Sequence, residues 1–312
     1  LKEFSVLARQ YGLKRMLLHA AYRLQDRWGL TKRKFPIWSW EGKPLSAWVS
    51  SGVPTDPAEY RVQRQNAGAR FFFPLGKPPR MPEEWVSTAT VEAELALDGK
   101  FRYFSRRVAT LGYPEPDWLC NPFTGVSETA ERHWCDSDAF EARRGDIKFI
   151  WEPSRFAWAY ALSRAYAGTG DDRYAEGFWR LFESWLVANP PQRGPNWRCG
   201  QEMAGRAMAC VFALHALWGS PVTTDERVAT LVAFLGASAE RIEAHIHCAL
   251  VQMNNHGVTE AAGLYTMGLL FPELHGAERW RRRGRDILEA DAKEYNWPDG
   301  SYVMHSVNYQ RM

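Results

Sequence analysis

Cysteine is scarce in this sequence: five among 312 residues, at Cys120, Cys135, Cys199, Cys210 and Cys248. An odd number at wide spacing excludes a disulfide framework, and no C-x-x-C pair offers a structural zinc site. Thiols are therefore expected, with one disulfide still allowed. Long apolar runs are missing too. No stretch approaches the roughly 18 consecutive apolar residues of a membrane-crossing helix, so no membrane span is expected. The opening LKEFSVLARQ lacks the pattern of a secretory signal. Charge of one sign is in short supply, with a formal net charge of +3. That is too little to argue for a nucleic-acid partner. There is no P-loop, no G-x-G-x-x-G following a strand and no G-x-S-x-G. Carboxylates are plentiful, yet no two stand out as a glycosidase acid–base couple.

Aromatic residues are abundant: 15 Trp, 12 Tyr and 16 Phe. Indoles stack on the apolar faces of sugar rings, which makes carbohydrate one reading. The plainer reading is that large rings at helical spacing fill a core. Residues 1–28 carry a loose apolar stripe and are expected to be helical. Between Lys32 and Pro82, FPIWSW, GVPTDP and FFFPLGKPPRMP show no sustained period, so irregular chain is expected. A helix at Glu83–Leu97, a strand at FRYF and a further irregular stretch to Gly145 follow.

Beyond Gly145 the helical period dominates. One helix is expected over residues 150–166, and a second carries Tyr174, Phe178, Leu181, Phe182 and Trp185. A third is expected over about 201–218. The fourth opens on a capping box from Thr223 to Glu226, the fifth at Asn254, and the sixth covers about 277–295. Such helices on short loops stack as antiparallel hairpins. The fold class expected is mainly α, an (α/α) toroid or bundle. Residues 1–100 would wrap it and 101–312 form it, together one continuous domain. The closing NWPDGSYVMHSVNYQRM leads into another element, so the natural chain is expected to continue.

Polar residues cluster at three places. Asn254, Asn255 and His256 stand at the start of the fifth helix, where backbone N–H groups and the dipole favour an anion such as a carboxylate. A plain N-cap is the alternative. His305, Asn308, Tyr309 and Arg311 form a tail cluster. His305 and Tyr309 share a face in helix or strand, and a tyrosine near cations suits general acid–base work. Glu202 and Arg206 are spaced as an i,i+4 ion pair. GPNWRCGQE would bring Asn196, Trp197 and Gln201 to the helix-end surface that holds Asn255. His245 and His247 tempt a metal reading, but on one helix they diverge by about 200°, so no metal is expected there.

In combination, three stretches resemble the heparinase II/III-like polysaccharide lyases. They are GDIKFIWEPSRFAWAYALSRAYAGTGDDRYAEGFWRLFESWLVANPPQRGPNW, NNHGVTEAAGLYTMGLLFPE and DGSYVMHSVNYQRM. The resemblance covers most of residues 100–312 and is weaker before them. It implies an incomplete (α/α) toroid here, with a C-terminal β-sandwich beyond Met312, and β-elimination on a uronic-acid polysaccharide such as a glycosaminoglycan. Asn255 would hold the substrate carboxylate with His256 beside it, and Tyr309 would serve as base or acid. Asn254, Trp197, Gln201, Glu202, His305 and Arg311 would line the substrate. A glutamine is common in the family where His305 stands, and a histidine where Gln310 stands. The second proton-transfer residue would lie in the β-sandwich. No cofactor is expected, a structural metal in that further domain being left open. The resemblance implies a periplasmic or secreted protein. An alginate lyase of the same fold, a toroidal glycoside hydrolase and a non-catalytic glycan-binding toroid are the alternatives.

Overall fold

Apolar positions every three to four residues dominate the second half of the sequence. There the computed structural model, which describes residues 28–68, 71–252 and 254–303, is almost wholly helical. Before it, α1 (Leu30–Lys34), α2 (Pro57–Asn66) and α3 (Glu83–Leu97) lead to three small antiparallel hairpins. These pair β1 (Lys100–Tyr103) with β2 (Arg107–Thr110), β3 (Cys120–Asn121) with β4 (Val126–Ser127), and β5 (Phe140–Glu141) with β6 (Gly145–Asp146). The helices that follow are α4 (Lys148–Ser154), α5 (Ala157–Thr169), α6 (Asp172–Ala188), α7 (Gly200–Leu217) and α8 (Asp225–His245). Last come α9 (His247–Val251), α10 (Asn255–Leu270) and α11 (Ala277–Glu294). The helix expected over residues 1–28 lies outside the described residues but for its last position.

Helices α3, α5, α7 and α10 pack side by side in that order, and α5, α7 and α10 each rest on a hairpin mate, α6, α8 and α11. This is the incomplete toroid. Helices α7 and α8 are buried on nearly every face, as the middle of such a stack requires. Helices α7 and α10 meet at Gly263, where an added Cβ would stand 2.7 Å from the Ala204 Cβ. Trp48, Trp118, Trp179, Trp185, Trp197 and Trp280 are all enclosed in the interior, so most of the tryptophan excess is core. No disulfide forms among the described residues, which include all five cysteines.

Four local expectations are corrected. The proline-rich segment between Lys32 and Pro82 contains α2, because Pro57 occupies the first turn, where no N–H is needed, and Asp56 caps it by accepting from Ala58 and Glu59. The helix expected over 150–166 is two helices. Phe156 between them is left-handed, at φ 61° and ψ 33°. Its buried ring packs 4.6 Å from Trp158 and 5.4 Å from Trp185, and the Trp158 indole takes the Pro153 carbonyl. Helix α8 is capped by Thr224, which accepts from the Arg227 N–H. Thr223 is instead buried, accepting from the Trp179 indole and donating to the Leu217 carbonyl.

The fourth correction concerns Glu202 and Arg206. Arg206 is fully buried, donates to the carbonyls of Ser154 and Asn196, and lies 4.2 Å above the Trp185 ring. Glu202 pairs with Arg155 through two hydrogen bonds of 2.6 and 2.9 Å. Four-residue spacing put Glu202 and Arg206 on one side of α7. The core took the guanidinium, whose planar face stacks on the indole.

Candidate functional site

Helix α10 begins at the polar triplet. Asn254 is its N-cap, with its side-chain oxygen accepting from the His256 N–H at 2.9 Å. Asn255 is the first helical residue and only 8% exposed. Its carbonyl accepts from the Thr259 hydroxyl. His256 is half-buried, and its Nδ1 lies 3.6 Å from the Sγ of Cys199, the residue before α7. The starts of α7 and α10 thus meet, and two sets of N–H groups point to one region.

A cavity of about 400 Å³ opens at this meeting point. His256 and Glu260 of α10 line it with Cys199 and Gly200 of the α7 start, and Arg198, Asp138 and Trp151 close it from other segments. Glu260, one turn beyond His256, is 4% exposed. Its carboxyl lies flat against Gly200, where a Cβ would come within 2.4 Å of Cδ and 2.6 Å of both oxygens. A side chain at position 200 would displace that carboxyl. Burial pushes the Glu260 carboxyl up to about 8, with Arg241 and the Gln201 N–H opposing. Burial also lowers the His256 pKa, aided by Lys148 and opposed by Glu202. The ring is thus held neutral, able to donate from one nitrogen and accept at the other.

Glu202 anchors the wall behind His256. It is buried in the first turn of α7 and held by Arg155, which also pairs with Glu152. Gln201 is half-buried beside it. Trp197 is 1% exposed, with its indole donating to the Asn189 carbonyl. Its ring offers no face to a ligand, because it seats the turn that leads into α7. The resemblance implied a place lining the substrate for Trp197, and in the structure its ring is enclosed. Asn196 is likewise buried, bonded to Asn189. Of the described candidates, His256 lines the cavity, and Asn254, Asn255, Gln201 and Glu202 surround the helix starts that frame it. His305, Tyr309 and Arg311 lie outside the described residues.

His245 and His247 do come together, contrary to the helical expectation. Helix α8 ends at His245 and α9 starts at His247, so the chain turns at Ile246. Their rings lie 5.5 Å apart, and both line the cavity with Cys248. Among the described residues no group of three His, Cys, Asp or Glu side chains is placed to hold a metal ion. Glu260 and Cys199 escaped the sequence reading. A carboxylate four residues after His256, in a helix otherwise built of small and apolar residues, was the available signal.

Residues 84–312 match the family described as Heparinase II/III N-terminus. A heparin-sulfate lyase of Bacteroides thetaiotaomicron is 28% identical over 160 residues, which are 50% of this chain and 22% of that protein. Its counterpart from Pedobacter heparinus is 26% identical over 160 residues, 50% of this chain and 24% of its own. The chain thus spans about a quarter of the length of these curated relatives. Among solved structures, a heparan sulfate lyase from Pedobacter heparinus superposes with a TM-score of 0.57 at 20% identity, over 79% of this chain and 35% of its own. A heparinase III structure gives 0.57 at 19% identity, over 96% of this chain and 41% of its own. Identity at that level speaks for the fold, the helical toroid. With the family match running through most of the sequence, the chain belongs to the Heparinase II/III N-terminus family.

Proposed function

We propose that this chain is the toroid portion of a polysaccharide lyase that cleaves uronic-acid glycosaminoglycans by β-elimination. The observation that carries the reading is the paired helix start, with Asn255 and neutral His256 beside a cavity of about 400 Å³. In a uronate, the proton on C5 is too weakly acidic for a side chain to remove unaided. Hydrogen bonds to the C6 carboxylate, preset at a helix N-terminus, stabilise the enolate-like charge as it develops. Asn255 and His256 supply them in this reading. A base takes the C5 proton, the C4–O4 bond breaks with its electron pair on oxygen, and that oxygen receives a proton. The C4=C5 double bond remains in the product. Tyr309 is assigned as the phenol that moves a proton at C5 or O4, with His305 and Arg311 beside the sugar. The scheme balances with side chains alone. A periplasmic or secreted location goes with it, since polymers of this kind are met outside the cytoplasm. No helix among the described residues is long and apolar enough to cross a membrane.

One observation favours a second reading, a glycoside hydrolase: Asp138 and Glu260 both line the cavity, and burial raises Glu260 as it would an acid catalyst. Against it, the Glu260 carboxyl is pressed on Gly200 at the foot of α7. Digestion separates the two. The full-length protein is mixed with heparan sulfate, chondroitin sulfate, hyaluronan and alginate, and ultraviolet absorbance of the conjugated double bond is followed. A rise on a glycosaminoglycan supports the proposal, and a rise on alginate alone moves the substrate class. New reducing ends without absorbance support the hydrolase, and binding without cleavage a glycan-binding toroid.

A further inference from the structure

The chemistry proposed above needs His256 to present a donor, yet a neutral imidazole has one N–H and two nitrogens to carry it. Which nitrogen is protonated depends on what the other one meets. Nδ1 meets the Cys199 sulfur at 3.6 Å.

We infer that Cys199 is a positioning residue: its S–H donates to His256 Nδ1, holds the ring as the Nε2–H tautomer, and leaves that N–H for an anionic group in the cavity. Its catalytic consequence rests on the function proposed above; the tautomer itself does not.

The direction of the bond follows from the charge state of the partners. Burial pushes the Cys199 thiol up to about 12, with Glu202 and Glu260 adding to the rise and the N–H groups of Glu202 and Gln201 opposing it. The sulfur therefore keeps its proton. Burial lowers the imidazole, so the ring is neutral as well. Between a thiol and a neutral imidazole, the ring nitrogen is the better acceptor, since sulfur accepts only weakly. A thiolate nucleophile is excluded by the same burial.

Both partners are held in place. Cys199 stands at the N-terminus of α7, whose first residue Gly200 is pressed against Glu260 of α10. His256 is fixed by the Asn254 cap, and the two helices touch at Gly263 and Ala204. Among the described residues, the other charged groups acting on the ring are Glu202 on α7, itself bound to Arg155, and Lys148 on α4. Glu260 shares the cavity wall one turn along α10. Among the described residues, Cys199 is the one that reaches Nδ1.

The test is nitrogen NMR on the full-length protein labelled with 15N-histidine, with the His256 signals assigned by their loss in His256→Asn. The expected wild-type pattern is an unprotonated Nδ1 and a protonated Nε2. Cys199→Ser should keep it, because a hydroxyl also donates. Cys199→Ala, or Cys199→Val if alanine leaves the fold loose, should give a mixed or reversed tautomer. Where the protein cleaves a uronide, kcat should fall about tenfold in Cys199→Ala and recover in Cys199→Ser. A protonated Nδ1 in the wild type, or an unchanged tautomer in both Cys199→Ala and Cys199→Val, overturns the inference. Absent cleavage by the wild type would remove the proposed function and leave the tautomer result to stand or fall by itself.

Discussion

Asn254, Asn255 and His256 divide the work of one helix start. Asn254 closes the cap, which frees its two neighbours from that duty. Asn255 is then a buried amide at the positive end of α10, and His256 a neutral ring on a cavity wall. If that pair stabilises a developing carboxylate charge, Asn255→Ala should lower kcat by about 100-fold or more while leaving the circular dichroism spectrum unchanged. A loss confined to KM would assign it to ground-state binding instead. Glu202 poses a structural question at the same scale. Its buried carboxylate depends on Arg155, which is itself partly exposed. Arg155→Leu should cost roughly 2 kcal/mol in urea unfolding, because it strands a charge. Arg206→Lys should cost a similar amount for another reason, the loss of a planar cation on Trp185 and of its carbonyl partners.

At the scale of elements, the start of α7 against α10 is the joint on which the site depends. Glu260 carries a testable sign. Its folded pKa of about 8 lies above that of an exposed carboxyl, so the native state keeps a proton that the unfolded chain has lost. That contribution is full below the unfolded value near 4.5 and fades as pH rises through about 8. Buried His215 and half-buried His245, both lowered by desolvation, act in the opposite sense: their contribution is present above the ordinary histidine range and is lost as pH falls. The difference between wild type and Glu260→Gln isolates the carboxyl. In denaturant melts, the wild type should lose stability relative to Glu260→Gln between about pH 5 and pH 8, by at most about 1.4 kcal/mol per pH unit. A flat difference would contradict the assignment. The α8 cap offers a simpler comparison. Thr224→Ala should cost about 1 kcal/mol, and Thr223→Val more, since it strips a partner from the buried Trp179 indole.

What was legible in the residues follows from what kind of signal each feature leaves. Helices α3, α6, α10 and α11 were readable because a one-sided apolar period or a cap marks them within a single segment. Asn254 was readable as a cap for the same reason. The break at Phe156 was not, since a ring that needs a place between Trp158 and Trp185 exerts its pull through the tertiary core. Arg206 was misread because spacing supplies partners only from its own helix, whereas the carbonyls of Ser154 and Asn196 come from elsewhere. The His245–His247 pair was misjudged because a two-residue separation excludes a shared face only while the helix continues. Glu260 and Cys199 gain their meaning from each other's helix, which no local pattern contains.

For the molecule as a whole, the account comes down to whether a helix start in an incomplete toroid recognises the carboxylate of a sugar acid. Binding isolates that question from turnover. In the Tyr309→Phe background, which the proposed chemistry leaves unable to cleave, titration calorimetry would compare a uronate-containing oligosaccharide with its carboxyl-reduced counterpart. The account predicts a clear preference for the uronate, lost when Asn255→Ala is added. A preference that survives Asn255→Ala unchanged, or no preference at all, would contradict it.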